Sequence, residues 1–265
     1  MRLLAHVALM AAFTAGSMLA DDWAKTFTVS GRPELRVETD DAAVVVLPWS
    51  DKGDAKRIEA RVTTSRWRIA PGEVEIREYQ TGDRVELVVR CHSSGIHFDV
   101  GNRSILVELH VPRRIQSDIH TGDGSIRVSG LEGETRLRTG DGSVEADGLD
   151  GALDATTGDG HMKVRGRLDA LTLRTGDGGI EADVLPGSKM RSGWRLESGD
   201  GAVRVRLPRD FAVELDLHTG DGHMSVDFPV PANARSGRNL RARMNGGVSP
   251  LTIRTEDGSI HIGRI

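Results

Sequence analysis

The sequence predicts an all-β chain: a parallel β-solenoid (β-helix) with coils of about 18 residues and divergent coils capping its N-terminal end. Three observations predict it. First, Thr-Gly-Asp-Gly begins at Thr121, Thr139, Thr157 and Thr175, each start 18 residues after the last. A fixed short period means one structural unit repeated, each burying its apolar face against the next. Second, every copy is followed by an alternating run such as Ile126-Arg-Val128, Val144-Glu-Ala146 or Met162-Lys-Val164. Apolar residues at every second position mark a strand with one buried face. Third, the outward columns alternate in sign, as in Arg127, Glu145, Lys163, Glu181 and Arg204, or Asp118, Arg136, Asp154, Thr172, Arg195 and Asp216. Stacked coils would make these residues cross-strand neighbours, where opposite charges attract.

Each element follows from the same columns. Residues 1–20 read as a secretory signal peptide: Arg2, the mostly apolar Leu3 to Leu19, then Ala20 before Asp21-Asp22. Cleavage is expected after Ala20 or after Ser17. Residues 21–110 read as divergent N-terminal coils, because Leu35-Arg-Val37-Glu-Thr39-Asp-Asp repeats the spacing in worn form. The aromatics Trp23, Phe27, Trp49 and Trp67 gather there, as suits a cap over an open edge. Residues 111–265 hold the regular coils. A second strand precedes each motif, carrying pairs such as Leu153 and Ala155, Leu171 and Leu173, or Leu251 and Ile253. Degenerate motifs start at Ser198, Thr219 and Thr255, and residues 231–247, rich in Gly, Asn, Arg and Pro, read as an irregular loop. Val111-Pro-Arg is echoed by Leu207-Pro-Arg, each leading through a strand to His-Thr-Gly-Asp-Gly.

On those residues (the signal peptide, Pro48-Trp49, Val107-Glu-Leu-His-Val-Pro112 and the repeated Thr-Gly-Asp-Gly turns) the chain resembles the bacterial putative-adhesin family of β-strand-repeat proteins. The resemblance covers nearly all of the mature chain. It implies an exported solenoid of parallel strands on the bacterial envelope, and it brings no catalytic residues.

Composition narrows the function. A formal net charge of −4 with both signs interspersed gives no nucleic-acid footprint. The single cysteine, Cys91, ends an apolar run and reads as a small buried hydrophobe, so no intrachain disulfide stabilises the fold. Beyond the leader no long apolar segment predicts a membrane span.

The candidates for chemistry are weak. The column Asp123, Asp141, Asp159, Asp177, Asp200, Asp221 and Asp257 could attract calcium, yet its aspartates stand between the glycines, not at the ligand position of calcium β-rolls. Turn chemistry is the simpler reading: glycines for positive φ, Asp for hydrogen bonds to its own turn. His218, Asp221 and His223 flank one turn and could meet on a divalent transition metal, although three such residues across an exposed turn are more often simply solvated. Thr121, Thr139, Thr157, Thr175, Thr219 and Thr255 share the inward parity of the preceding Leu residues and read as a hydrogen-bonded corner stack, not an ice- or ligand-binding ladder. There is no Gly-x-Ser-x-Gly elbow, phosphate loop or His-Glu-x-x-His. The expectation is therefore a non-catalytic exported protein without cofactor, contacting an envelope polymer, surface glycan or protein in the periplasm, at the cell surface or outside. Its open terminal coils could also pair end to end. The alternatives are a carbohydrate-active β-helix enzyme, which would need paired carboxylates on one face, and a calcium-dependent β-roll scaffold.

Overall fold

The computed structural model describes residues 21–50, 55–66, 68–92 and 104–265. The leader reading of residues 1–20, and Trp67 among the N-terminal aromatics, lie outside the described residues. Among the described residues the chain is all-β apart from one short 3-10 turn at Ala232–Ala234. Its strands form one mixed 21-stranded sheet.

The N-terminal strands are β1 (Asp22–Thr28), β2 (Glu34–Thr39), β3 (Ala43–Pro48), β4 (Arg57–Ser65), β5 (Val74–Thr81), β6 (Arg84–Cys91) and β7 (Ser104–Val111). The regular repeats give β8 (Gln116–Thr121), β9 (Ile126–Ser129), β10 (Glu132–Arg138), β11 (Val144–Thr156), β12 (Met162–Thr175), β13 (Ile180–Val184), β14 (Trp194–Ser198) and β15 (Val203–Leu207). Then come β16 (Val213–Thr219), β17 (Met224–Val226), β18 (Arg235–Ser236), β19 (Asn239–Met244), β20 (Pro250–Thr255) and β21 (Ile260–Arg264).

Pairing places these strands in two stacks. In one, Leu137, Ala155, Leu173, Leu196, Ile253 and Leu217 lie side by side in parallel register. In the other the sequence of neighbours is Val44, Ile126, Val144, Met162, Ile180, Val203, Ile260 and Met224. All of these residues are buried, so the core runs the length of the array. The long strands β11 and β12 turn the corner between the stacks, with register shifts at Asp147/Leu149 and Gly151/Ala152. The 18-residue register read from the motifs is found from β8 to β13, after which Thr175 is paired with Ser198 and Ser198 with Thr255.

Two expectations are corrected. The array is parallel only in its centre: β1 with β4, β4 with β7, β5 with β6, β16 with β19 and β18 with β19 are antiparallel. Alternation fixes which side chains are buried but not strand direction, and hairpins can close the ends. Nor does stacking follow chain order. β20 and β21 sit between β14/β15 and β16/β17, and β2 and β3 sit between β6/β7 and β8/β9. Residues 231–247, expected as a loop, contain β19, whose Leu240, Ala242 and Met244 are buried.

The edge strands carry charge, which opposes further pairing. Lys25 on β1 meets Glu78 on β5 at 2.6 Å, and Gln80 Nε2 donates to the Thr28 carbonyl at 2.7 Å, tying the two N-terminal edges together. Among the described residues no helix is long and apolar enough to cross a membrane.

Candidate functional site

The Thr-Gly-Asp-Gly corner is a structural ladder. Thr157 Oγ1 donates to the carbonyls of Gly140 and Gly142 in the neighbouring repeat, both at 3.0 Å, and accepts from its own Gly160 N–H at 3.2 Å. Thr175 does the same with Gly158, Gly160 and Gly178, and Ser198 keeps the pattern with Gly178 and Gly201. The worn copy joins in, with Thr39 Oγ1 donating to Thr121 Oγ1 at 2.9 Å. These hydroxyls are buried, as their parity predicted, and satisfy the Gly142, Gly160 and Gly178 carbonyls, whereas the Gly140 and Gly158 carbonyls also accept from the Gly158 and Gly176 N–H groups.

The glycines of this corner are there for space, not for positive φ. A Cβ on Gly142, Gly160 or Gly178 would lie 2.0 Å from the carbonyl oxygen of the glycine one repeat away. Positive φ belongs to the opposite corner, at Gly130 (61°) and Gly133 (134°). The aspartates between the motif glycines are exposed. Asp221 pairs with Arg238. Among the described residues the carboxylates of Asp123, Asp141, Asp159, Asp177, Asp200 and Asp257 make no hydrogen bond to their own turn, which corrects that part of the turn reading.

The charge columns pair only in part: among the described residues Lys163 and Asp154 form no ion pair, and Arg195 turns to Glu197 on its own strand. Arg127 meets Glu145 at 2.8 Å and Arg204 meets Glu181 at 2.6 Å. In the other column Arg136 turns to Glu134 on its own strand, and Asp118 is taken diagonally by Arg138 at 3.2 Å. At these exposures each pair contributes roughly 0.2–1 kcal/mol.

His218, Asp221 and His223 do not come together on one point. His218 Nδ1 is 2.8 Å from Asn239 Oδ1, Asp221 is held by Arg238, and the His223 backbone N–H donates to Ser259 Oγ at 3.2 Å. Among the described residues no group of three His, Cys, Asp or Glu side chains is placed to hold a metal ion. Cys91 packs partly against the core, and burial first, then the Asp40 charge, pushes its thiol up to about 11.

A recess of about 610 Å³ lies on the opposite corner, near the N-terminal end. It is built from four segments distant in sequence: Val29–Pro33 between β1 and β2, Ala55–Lys56 entering β4, Pro112–Gln116 between β7 and β8, and Glu132–Glu134 opening β10. Pro33 and Pro112 are buried, and neither can donate a ladder hydrogen bond, so strand pairing breaks there and leaves a hollow. The walls are held firmly. Asp83 accepts from the Ser30 and Gly31 N–H groups, each at 2.7 Å, and the Val29 N–H donates to the Lys56 carbonyl at 3.0 Å. Gln116 N–H donates to the Pro33 carbonyl at 3.0 Å, and Gly133 approaches the Ile115 carbonyl so closely that a Cβ there would stand 2.6 Å away.

Arg32 and Lys56 give this groove exposed positive charge. Its carboxylates are engaged: Glu132 with Arg114 at 3.1 Å and Arg113 at 3.8 Å, Glu134 with Arg136. Trp49, at the end of β3, stacks on His110 at 5.2 Å between ring centroids, with the Arg57 guanidinium 4.0 Å over its ring. No motif announces the groove. The one sequence signal was the Val111-Pro-Arg and Leu207-Pro-Arg echo, since Pro112 lines this recess and Pro208 lines a smaller one further along the same corner.

Solved structures that match this chain include a putative adhesin from Parabacteroides merdae, 12% identical, TM-score 0.48, over 91% of this chain and 95% of that one. A putative lipid binding protein from Parabacteroides distasonis is 11% identical, TM-score 0.45, over 91% and 96%. A putative cell adhesion protein from Clostridium sporogenes is 13% identical, TM-score 0.40, over 92% and 100%. No family model and no curated protein matches the chain, so the family resemblance rests on the residues that suggested it.

Proposed function

We propose that this chain is an exported β-solenoid that acts by binding, not catalysis, holding an envelope polymer, surface glycan or protein in the groove between Pro33, Lys56 and Gln116. The observation that carries the reading is the way charge is used there. Glu132 is paired with Arg114 and Glu134 with Arg136, so the carboxylates lining the groove are already engaged within the fold. The charges left to the groove are Arg32 and Lys56, which suit recognition of an acidic or hydroxyl-rich partner. Repeat-on-repeat register makes the body stiff enough to present such a groove without a large ordering cost on binding. Export and the solenoid description rest on the leader-like N-terminus and the 18-residue period.

Binding of the purified protein to a panel of envelope polymers and glycans, read by biolayer interferometry, tests the proposal. The double variant Arg32→Glu, Lys56→Glu is expected to weaken the bound partner at least tenfold with unchanged melting. Wild-type affinity in that variant would remove the groove, and silence across the panel would remove the binding reading. Steady release of shortened polysaccharide would replace it with the enzyme alternative.

A further inference from the structure

At the far end of the array the same corner carries a second recess of different character. About 390 Å³ in volume, it is lined by Arg209, Arg243 and Arg264 around Phe228, Pro229 and Met244. The three guanidiniums come from three separate places: the turn after β15, the end of β19 and the end of β21. No carboxylate lines the recess. Elsewhere in the array arginines meet acidic partners, as Arg204 does with Glu181 and Arg206 with Asp183. Among the described residues neither Arg209 nor Arg264 forms an ion pair, and the carboxylate paired with Arg243, Glu214, lies 3.8 Å away. With Glu214 offsetting Arg243, Arg209 and Arg264 leave the recess with positive charge that an external anion can match.

The arrangement is held in place. The Arg264 guanidinium lies 5.2 Å from the centroid of the Phe228 ring, a cation–π contact that orients it. Asn245, also in the lining, has φ 50°, the left-handed region that a side chain normally avoids. Its Nδ2 donates to the carbonyls of Arg209 and Phe211, both at 3.0 Å, clamping the turn that carries Arg209.

We propose that this recess binds an oxyanion, a carboxylate, sulfate or phosphate, borne by a small ligand group that rests on the Phe228–Pro229 wall. A guanidinium offers paired N–H donors matched to two oxygens of such a group, and charge-assisted bonds of this kind are strong and directional. The volume suits one sugar-sized unit, not a polymer segment. The site is independent of the groove at the other end, so either can fail alone.

Amide NMR titration of the purified protein with sodium glucuronate, sulfate and phosphate, each against sodium chloride at matched ionic strength, tests it. Saturable shifts at Phe228, Asn245 and Arg264 are expected with at least one oxyanion, and the tightest of the three identifies the source. Arg209→Gln and Arg264→Gln are each expected to weaken that binding at least tenfold. Arg209 is on an exposed turn, so its variant remains informative if Arg264→Gln folds poorly. Equal shifts with chloride, no saturation with any oxyanion, or wild-type affinity in Arg209→Gln would overturn the proposal.

Discussion

Leu196 on β14 and Ile253 on β20 are partners in parallel register, and Leu217 on β16 lies on the other side of Ile253. The last motif copy in the chain is therefore an interior rung. Deleting residues 248–265 is expected to unzip the array between β14/β15 and β16/β17, lowering the melting temperature by more than about 10 °C or abolishing a cooperative transition. Calorimetry decides: a fall of only a few degrees, as for a lost end rung, would contradict the insertion.

The motif glycines should be intolerant for a steric reason. A Cβ on Gly160 would stand 2.0 Å from the Gly142 carbonyl oxygen, so Gly160→Ala must push two repeats apart and is expected to cost more than ~3 kcal/mol. Gly237 has φ 58° with open space around it, and Gly237→Ala should cost only the backbone strain, ~1–2 kcal/mol. Urea unfolding of both variants gives the comparison; equal costs would mean that the repeats absorb the added Cβ without moving apart.

The threonine ladder makes a chemical prediction. Thr157→Val keeps the shape but strands the Gly142 carbonyl and the Gly160 N–H, at a cost of ~1–3 kcal/mol, while the Gly140 carbonyl still accepts from the Gly158 N–H. Thr157→Ser should cost under ~1 kcal/mol, because Ser198 already does this work with Gly178 and Gly201. Chemical denaturation that ranks serine below valine would remove the hydroxyl from the account.

Cys91 should be inert at neutral pH. Burial and the Asp40 charge raise its thiol from the ordinary 9.0 to about 11, so iodoacetamide labelling of the native protein should climb only as pH nears that value. In denaturant the reaction should already be fast near pH 9. The neutral thiol is favoured by folding, so its contribution to stability is full below 9.0 and is lost as pH rises towards 11. Fast native labelling at pH 8 would mean the thiol is open to solvent.

Much of the array was legible because each motif copy carries its own register. Val144, Met162, Ile180 and Val203 could be aligned by eye, and Thr39 could be matched with Thr121 across a divergent copy. Order along the stack was not legible, because any Thr-Gly-Asp-Gly copy fits against any other; nothing local says that Thr255 belongs between Ser198 and Thr219. Direction was hidden for a similar reason, since Leu240, Ala242 and Met244 alternate identically whether β19 runs up or down. The groove was invisible because it exists only where Pro33, Lys56, Gln116 and Glu134 meet, and no spacing rule links them.

The interior position of the first and last repeats bears on how the chain reaches its native state. Delivered N-terminus first, β8 to β15 can zip together as they emerge, each rung finding the one just made. β16 and β17 have no seat until residues 250–264 arrive to wedge between them and the growing column. Closure is thus a late, long-range event, of the kind that slows folding. A ribosome stalled before Pro250 would leave β14 and β15 with bare hydrogen-bonding edges, a template for joining another unfinished chain.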